Sequence, residues 1–295
     1  MAYATKIGLI GLGRVGEALG RRLIDAGYEA VGYDVDAGRA RLFESFGGHA
    51  LGSIQAVAFH ADRVLISVYD TAQVIEVVEG KGGLIAAGNR WAACHSTCDP
   101  DKLAALAGRA AEHGLALLDV PLSGTNTAIR RGDGVALVGG SWETAAEFDD
   151  VLAVICPRRF TFGAAGTATR AKLIVNLVLD LNRAGLAEGL ALAEQLGLEP
   201  AKMLEVLKGS SAYSQVMEIK GHKMAQREFQ PEARVVQTLK DSHVMLDQGK
   251  AVGQPLPLTA LATALLQACV AHGEGELDNS IVIEEIRRRR KKKPR

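Results

Sequence analysis

Residues 7–23 read IGLIGLGRVGEALGRRL, and the fold of the first half of the chain follows from this stretch. A short apolar run, Ile7–Ile10, enters a G-x-G-x-x-G loop at Gly11, Gly13 and Gly16, and helical spacing of apolar residues takes over from Val15 to Ala26. In such a strand–loop–helix unit the first glycine makes the turn. The second lets a pyrophosphate approach the backbone, and the third lets helix and strand pack closely. The segment Gly11, Leu12, Gly13, Arg14, Val15, Gly16 is therefore expected to cradle phosphate on the free N–H groups of a helix N-terminus. The next apolar run, Ala30–Tyr33, ends at Asp34, 23 residues past Gly11. A carboxylate there accepts from a ribose 2′-hydroxyl and repels a 2′-phosphate, so the residues favour NAD. Arg39 and Arg41 lie close in sequence and leave NADP as the alternative.

Working outward, strands are predicted at Val64–Val68, Trp91–Cys94, Leu115–Asp119 and Val135–Val138. Helices are predicted at Gly38–Phe46, Thr71–Glu79 and Asp101–His113. Strands that alternate with helices at this spacing form a parallel sheet with crossover helices. Near Gly166 the alternation stops, and one long helix is predicted from Thr167 to Leu196, with Gly197 at its end. Further helical periods follow at Pro200–Lys208, Arg234–Gly249, Leu258–His272 and Ile281–Arg288. The expected fold class is α/β, with an N-terminal Rossmann-type doubly wound sheet joined through the long helix to an all-α C-terminal domain. The expected domains are 1–165, 166–286 and a disordered, solvated basic tail, 287–295.

At 295 residues and 48% hydrophobic, the chain has enough apolar material for two cores, which excludes disorder as its main state. Its 34 basic and 34 acidic residues cancel, but eight of the basic ones lie in RRRRKKKPR, Arg287–Arg295. The body, with 26 basic against 34 acidic residues, is mildly acidic and does not suit nucleic acid. Cys94, Cys98, Cys156 and Cys269 do not make a disulfide framework, and CHSTC lacks zinc-ligand spacing. They read as buried thiols, and nothing in the sequence calls for a metal. The first residues run straight into the glycine loop rather than into a signal peptide. The most apolar stretch, Leu173–Leu196, carries Asn176, Asp180, Arg183, Glu188 and Glu194 and so is no membrane span. A cytoplasmic protein without a membrane partner is expected.

Three segments besides the opening motif resemble the β-hydroxyacid dehydrogenase family, which includes 3-hydroxyisobutyrate dehydrogenase and tartronate semialdehyde reductase. DVPLSGTNTAIRRGDGVALVGG, from Asp119, resembles the family's substrate loop. GAAGTATRAKLIVN, from Gly163 to Asn176, resembles the segment with the catalytic lysine, and LKDS, Leu239–Ser242, its Lys-Asp motif. The resemblance implies Lys172 as catalytic lysine and Asn176 as the substrate-orienting asparagine. It implies Ser123 and Gly124 as binders of the substrate carboxylate, with Thr125 beside them, and Lys240 closing over cofactor and substrate. Ser96 and Thr97 match the pair beside the nicotinamide ribose. It also implies a homodimer or homotetramer built through the helices. Thr125 stands where relatives usually have a second glycine, and Asn126 follows it. Imine reductases of similar fold fit less well, because they replace the lysine that Lys172 supplies.

Read from the residues alone, Lys172 and Asn176 are four apart on one helix and share a face. Oxidising an alcohol needs a proton acceptor at the hydroxyl while hydride leaves the same carbon, a task that suits Lys172 if its pKa is lowered by desolvation and by Lys240. Asp180 and Arg183 continue the stripe and read as a solvated face. His95 and His243 have no supporting motif, and Trp91 and Trp142 read as packing. The expected activity is hydride transfer between NAD and a small 3-hydroxy acid, either 3-hydroxyisobutyrate-like or polyhydroxylated. The alternatives are an NADPH-linked reductase of an aldehyde acid such as tartronate semialdehyde, and a non-catalytic binding module that uses the basic tail. The hydroxyl of Thr125 and the amide of Asn126 favour a substrate carrying an extra hydroxyl.

Overall fold

A computed structural model describes residues 6–290, which form two compact units dividing at Lys172/Leu173. The first unit opens with β1 (Lys6–Ile10), α1 (Arg14–Asp25), β2 (Glu29–Tyr33), α2 (Ala37–Ser45), β3 (His49–Ala50), α3 (Ile54–His60) and β4 (Arg63–Ile66). It continues with α4 (Thr71–Glu79), β5 (Trp91–Cys94), α5 (Pro100–Glu112) and β6 (Ala116–Asp119). The six strands are parallel, in the order β3-β2-β1-β4-β5-β6, so the order in which strands are added reverses between β1 and β4. Helices cover both faces, which is why the central strands are apolar without a break. In β4, Leu65 packs with Leu19, Leu23 and Phe148 on one face. Val64 and Ile66 pack with Val57, Val74 and Leu103 on the other. The helices start where side chains cap them: Asp36 for α2, Ser53 for α3, Asp70 for α4 and Asp99, followed by Pro100, for α5.

Val135–Val138 does not join this sheet. After β6 the chain forms β7 (Leu122–Ser123), α6 (Asn126–Arg131), β8 (Val135–Val138), α7 (Trp142–Glu147), α8 (Asp149–Ile155) and β9 (Arg158–Thr161). β7, β8 and β9 make a separate three-stranded sheet, with β7 antiparallel to β8, because the chain doubles back at α6. Gly132 ends α6 in the left-handed region. Trp142 is 75% exposed rather than packed, at the start of α7.

The second unit is helical. α9 (Thr167–Gln195) runs through the division between the units, and α10 (Pro200–Lys208), α11 (Gln215–Gln226), α12 (Val235–Ala251), α13 (Pro257–Ala271) and α14 (Val282–Arg288) follow. Leu186, Leu190, Leu204, Met217, Met224 and Ile283 form its core. α11 escaped the sequence pattern because Lys220 and Gly221 lie on its buried face and blur the apolar period.

The expectation of a disordered tail from Arg287 is corrected for the described part. Arg287 and Arg288 belong to α14, and Arg287 is buried, paired with Glu194 and Glu284. Arg288 pairs with Glu274 and Glu285, Arg289 with Glu285 and Arg290 with Glu194. These acids give the basic run a folded partner. Residues 291–295 lie outside the described residues. No helix among the described residues is long and apolar enough to cross a membrane.

Candidate active site

The glycine loop connects β1 to α1. Gly11 has φ +89°, and a Cβ there would meet the Ser67 carbonyl oxygen at 2.4 Å; a Cβ on Gly16 would meet the Gly11 carbonyl oxygen at 2.0 Å. Both glycines are thus required by close backbone packing. At Gly13 a Cβ would meet only the Arg39 guanidinium, at 3.5 Å, which leaves room over the loop. Gly13 caps α1 without a side chain, whereas α2 to α7 each carry a side-chain cap. The first-turn N–H groups of Arg14, Val15 and Gly16 are therefore left to an anion or to water, as a pyrophosphate site requires. Leu12 has its side chain buried, and its N–H donates to Asp34 Oδ2 at 2.7 Å. Asp34 Oδ1 accepts from the Asp36 N–H, and Arg39 Nη1 lies 3.4 Å from Oδ2. The acidic residue is held at the end of β2, where the fold takes the adenosine ribose, and the residues fit a dinucleotide. Arg39 thus places a cation beside the Asp34 carboxylate.

Ser96 and Thr97 follow β5 at the carboxyl edge of the sheet. The Ser96 hydroxyl accepts from the Val68 N–H and donates to the Val68 carbonyl, so its proton holds two loops together. Thr97 is half-buried. Between β5 and Ser96, His95 is 5% exposed and donates from Nδ1 to the Val120 carbonyl at 2.7 Å. Its Nε2 has no hydrogen-bond partner among the described residues. Burial lowers the imidazole to about 4 against the upward pull of the Val120 bond. Cys94 and Cys98 lie alongside with their sulfurs 3.9 Å apart, and all four cysteines are buried and free.

Ser123 ends β7 and is half-buried. Gly124 has φ +145°, where a side chain would be strained. The Thr125 hydroxyl accepts from the Ala128 N–H at 3.1 Å and caps α6, keeping its O–H as a donor. Lys172 is buried in the second turn of α9. Asp119 ends β6 and opens the loop segment. It is fully buried and accepts from the Gly166 N–H, the Thr169 N–H and the Thr169 hydroxyl.

In the helical unit, Asn176 on α9 donates from Nδ2 to Asp241 Oδ2 on α12 at 3.2 Å, and Lys240 Nζ lies 2.8 Å from Asp241 Oδ1. Asp241, visible beforehand only as the Asp of LKDS, thus joins the asparagine and the lysine that the sequence singled out. The reading of Asp180 and Arg183 as solvated is corrected. They are 8% and 6% exposed and pair at 2.7 Å, because α12 covers that side of α9 and brings Ser242 within 3.4 Å of Asp180.

Two family models match the chain. One, described as the NAD binding domain of 6-phosphogluconate dehydrogenase, matches residues 6–163. The other, described as NAD-binding of NADP-dependent 3-hydroxyisobutyrate dehydrogenase, matches residues 166–286. The chain is 31% identical over 287 residues to 2-(hydroxymethyl)glutarate dehydrogenase of Eubacterium barkeri, covering 96% of this chain and 95% of that one. It is 30% identical over 284 residues to L-threonate dehydrogenase of Cupriavidus necator, covering 95% and 96%. A crystal structure described as 3-hydroxyisobutyrate dehydrogenase from Salmonella typhimurium shares the fold with a TM-score of 0.88 at 24% identity, over 95% of this chain and 99% of that one.

Proposed function

Because this chain belongs to the β-hydroxyacid dehydrogenase family, we propose that Lys172 is the acid–base group of an NAD-linked oxidation of a small 3-hydroxy acid. The protein is an oxidoreductase that moves hydride between a nicotinamide cofactor and a hydroxy acid. The cofactor supplies the hydride acceptor. Lys172 takes the hydroxyl proton as hydride leaves the same carbon, and in the reverse direction its ammonium protonates the carbonyl. Ser123 and the N–H groups around Gly124 and Thr125 hold the substrate carboxylate, as small residues with an accessible backbone do in anion nests. Asn176 orients the reacting hydroxyl and Lys240 closes over it, while Ser96 and Thr97 border the nicotinamide ribose. Supporting this reading is the position of Lys172 and Asn176 one turn apart on α9, with the Asn176 amide already fixed by Asp241.

The substrate is inferred to carry an extra hydroxyl. The O–H of Thr125 and the amide of Asn126 offer polar partners that a methyl branch would leave unpaired, a loss of about 1–3 kcal/mol. One similar protein acts by its name on L-threonate, in line with this choice. The test is a screen of small hydroxy acids with NAD and NADP, read by nicotinamide absorbance. Threonate or glycerate should exceed 3-hydroxyisobutyrate in kcat/KM by about tenfold or more. A clear win for the methyl-branched acid overturns the substrate choice, and no turnover of any hydroxy acid overturns the reading as a whole. The binding-module alternative loses support, since Arg287–Arg290 are engaged by acids of their own unit.

A further inference from the structure

Asp119 carries no role in the reaction described above, yet it is a fully buried carboxylate at the junction of two functional segments. Its backbone ends β6 and pairs with Gly139 in both directions at 2.8 Å, and the chain leads from it through Val120 and Pro121 to Ser123. Its side chain reaches the start of α9. Oδ2 accepts from the Gly166 and Thr169 N–H groups, each at 2.9 Å, and Oδ1 from the Thr169 hydroxyl at 2.6 Å. These are N-terminal amides that a helix cannot satisfy internally, so Asp119 caps α9 from another part of the chain. Thr169 is one turn before Lys172. Gly166 is equally constrained: at φ +88°, a Cβ there would meet the Pro100 carbonyl oxygen at 2.5 Å.

We infer that Asp119 is a positioning residue, which fixes the first turn of α9 and hence Lys172 against the loop that carries Ser123. This rests on the reading of Lys172 and Ser123 given above. Burial raises its pKa, and the Thr169 and Gly166 donors only partly offset that, so ionisation is harder here than in the unfolded chain. What Asp119 imposes is geometric: three hydrogen bonds converge from the start of α9 onto the stem of the substrate loop.

The inference is tested with Asp119→Ala, Asp119→Asn and Thr169→Val, each compared with Lys172→Ala. Asp119→Ala should lower kcat by about 10²-fold, the effect of a misplaced catalytic group, with NAD affinity unchanged because the glycine loop is untouched. Thr169→Val deletes only the hydroxyl bond and should lower kcat by about tenfold. Asparagine keeps an acceptor for the two N–H groups, so Asp119→Asn should restore kcat to within a few-fold of wild type without loss of thermal stability. Should Asp119→Ala fail to fold, Thr169→Val and Asp119→Asn still decide the matter. Wild-type kcat in folded Asp119→Ala or Thr169→Val overturns the inference, as does a loss of NAD binding in parallel with kcat. If Lys172→Ala itself keeps wild-type turnover, it is the assignment of Lys172 that fails.

Discussion

Asp34 is the residue on which cofactor choice turns. Its carboxylate is pinned by the Leu12 and Asp36 N–H groups, so it cannot swing away from an incoming 2′-phosphate. Replacing it with serine, beside Arg39, should shift the NAD/NADP ratio of kcat/KM toward NADP by about 10–100-fold, since one like-charge contact is removed and a cation exposed. Steady-state kinetics with both cofactors measures this, and a wild-type enzyme already favouring NADP refutes it. His95 sets an acid limit. In the folded protein its pKa is lowered to about 4, below the usual value near 6.5, so the folded state binds fewer protons than the unfolded one between those values. Its contribution is present above pH 6.5 and is lost as pH falls through that window, by roughly 3 kcal/mol. Denaturant unfolding of His95→Asn should lack this part of the pH dependence; an unchanged profile rules it out. At this scale the sequence announced the glycines and Asp34 through their spacing. It could not announce His95 or Asp119, whose roles come from partners far along the chain: Val120 for the one, Gly166 and Thr169 for the other.

Among the elements, α9 was legible by its helical period and the longer parallel strands as unbroken apolar runs, whereas the two-residue β3 at the sheet edge was not. β7 and β9 were not, being short or polar, and the second sheet they form with β8 depends on a chain reversal that no local pattern encodes. α11 and the loop before α12 are held by a buried pair that was equally silent. Lys220 on α11 donates to both oxygens of Asp278, which also accepts from the N–H groups of Glu232 and Ala233 and from Ser280. Burial by itself would raise the Asp278 carboxyl, but the Lys220 charge and these donors outweigh it and hold the pKa at about 2. Burial also lowers the Lys220 ammonium despite its partner. The sign for Asp278 is that of a depressed acid: its stabilisation is complete above pH ~4 and disappears as pH falls toward 2, roughly 2 kcal/mol in all. Lys220→Met leaves a buried carboxylate without its cation and should cost about 3 kcal/mol or more at neutral pH. Thermal or urea unfolding of the variant at pH 7 and pH 3 checks both statements, and equal losses at the two pH values contradict the assignment.

At the scale of the molecule, α9 presents a face that its own unit leaves open. Ile174, Val178 and Leu192 are 65%, 51% and 58% exposed, and they line up at helical spacing with Gly185 and Gly189, around which a Cβ would meet nothing within 4 Å. Apolar side chains flanking a strip of small residues allow a second helix to approach closely, and a surface of this kind is rarely left to water. A second copy of the chain is the expected occupant, since most soluble oligomers are symmetric assemblies of one subunit and a helix face of this sort can pair with itself about a two-fold axis. Light scattering on the eluting protein should therefore give the mass of a dimer or tetramer. Val178→Asp together with Leu192→Asp should drive it to monomer: each change removes about 2 kcal/mol of apolar burial at every copy of the contact, enough to weaken association by at least about 10³-fold. A monomeric wild-type protein at micromolar concentration defeats the prediction. If the mass falls in the variant while NAD binding persists, the glycine loop works independently of assembly. That is the expected outcome, because its residues all belong to the sheet-containing unit, whereas the open face of α9 belongs to the helical one.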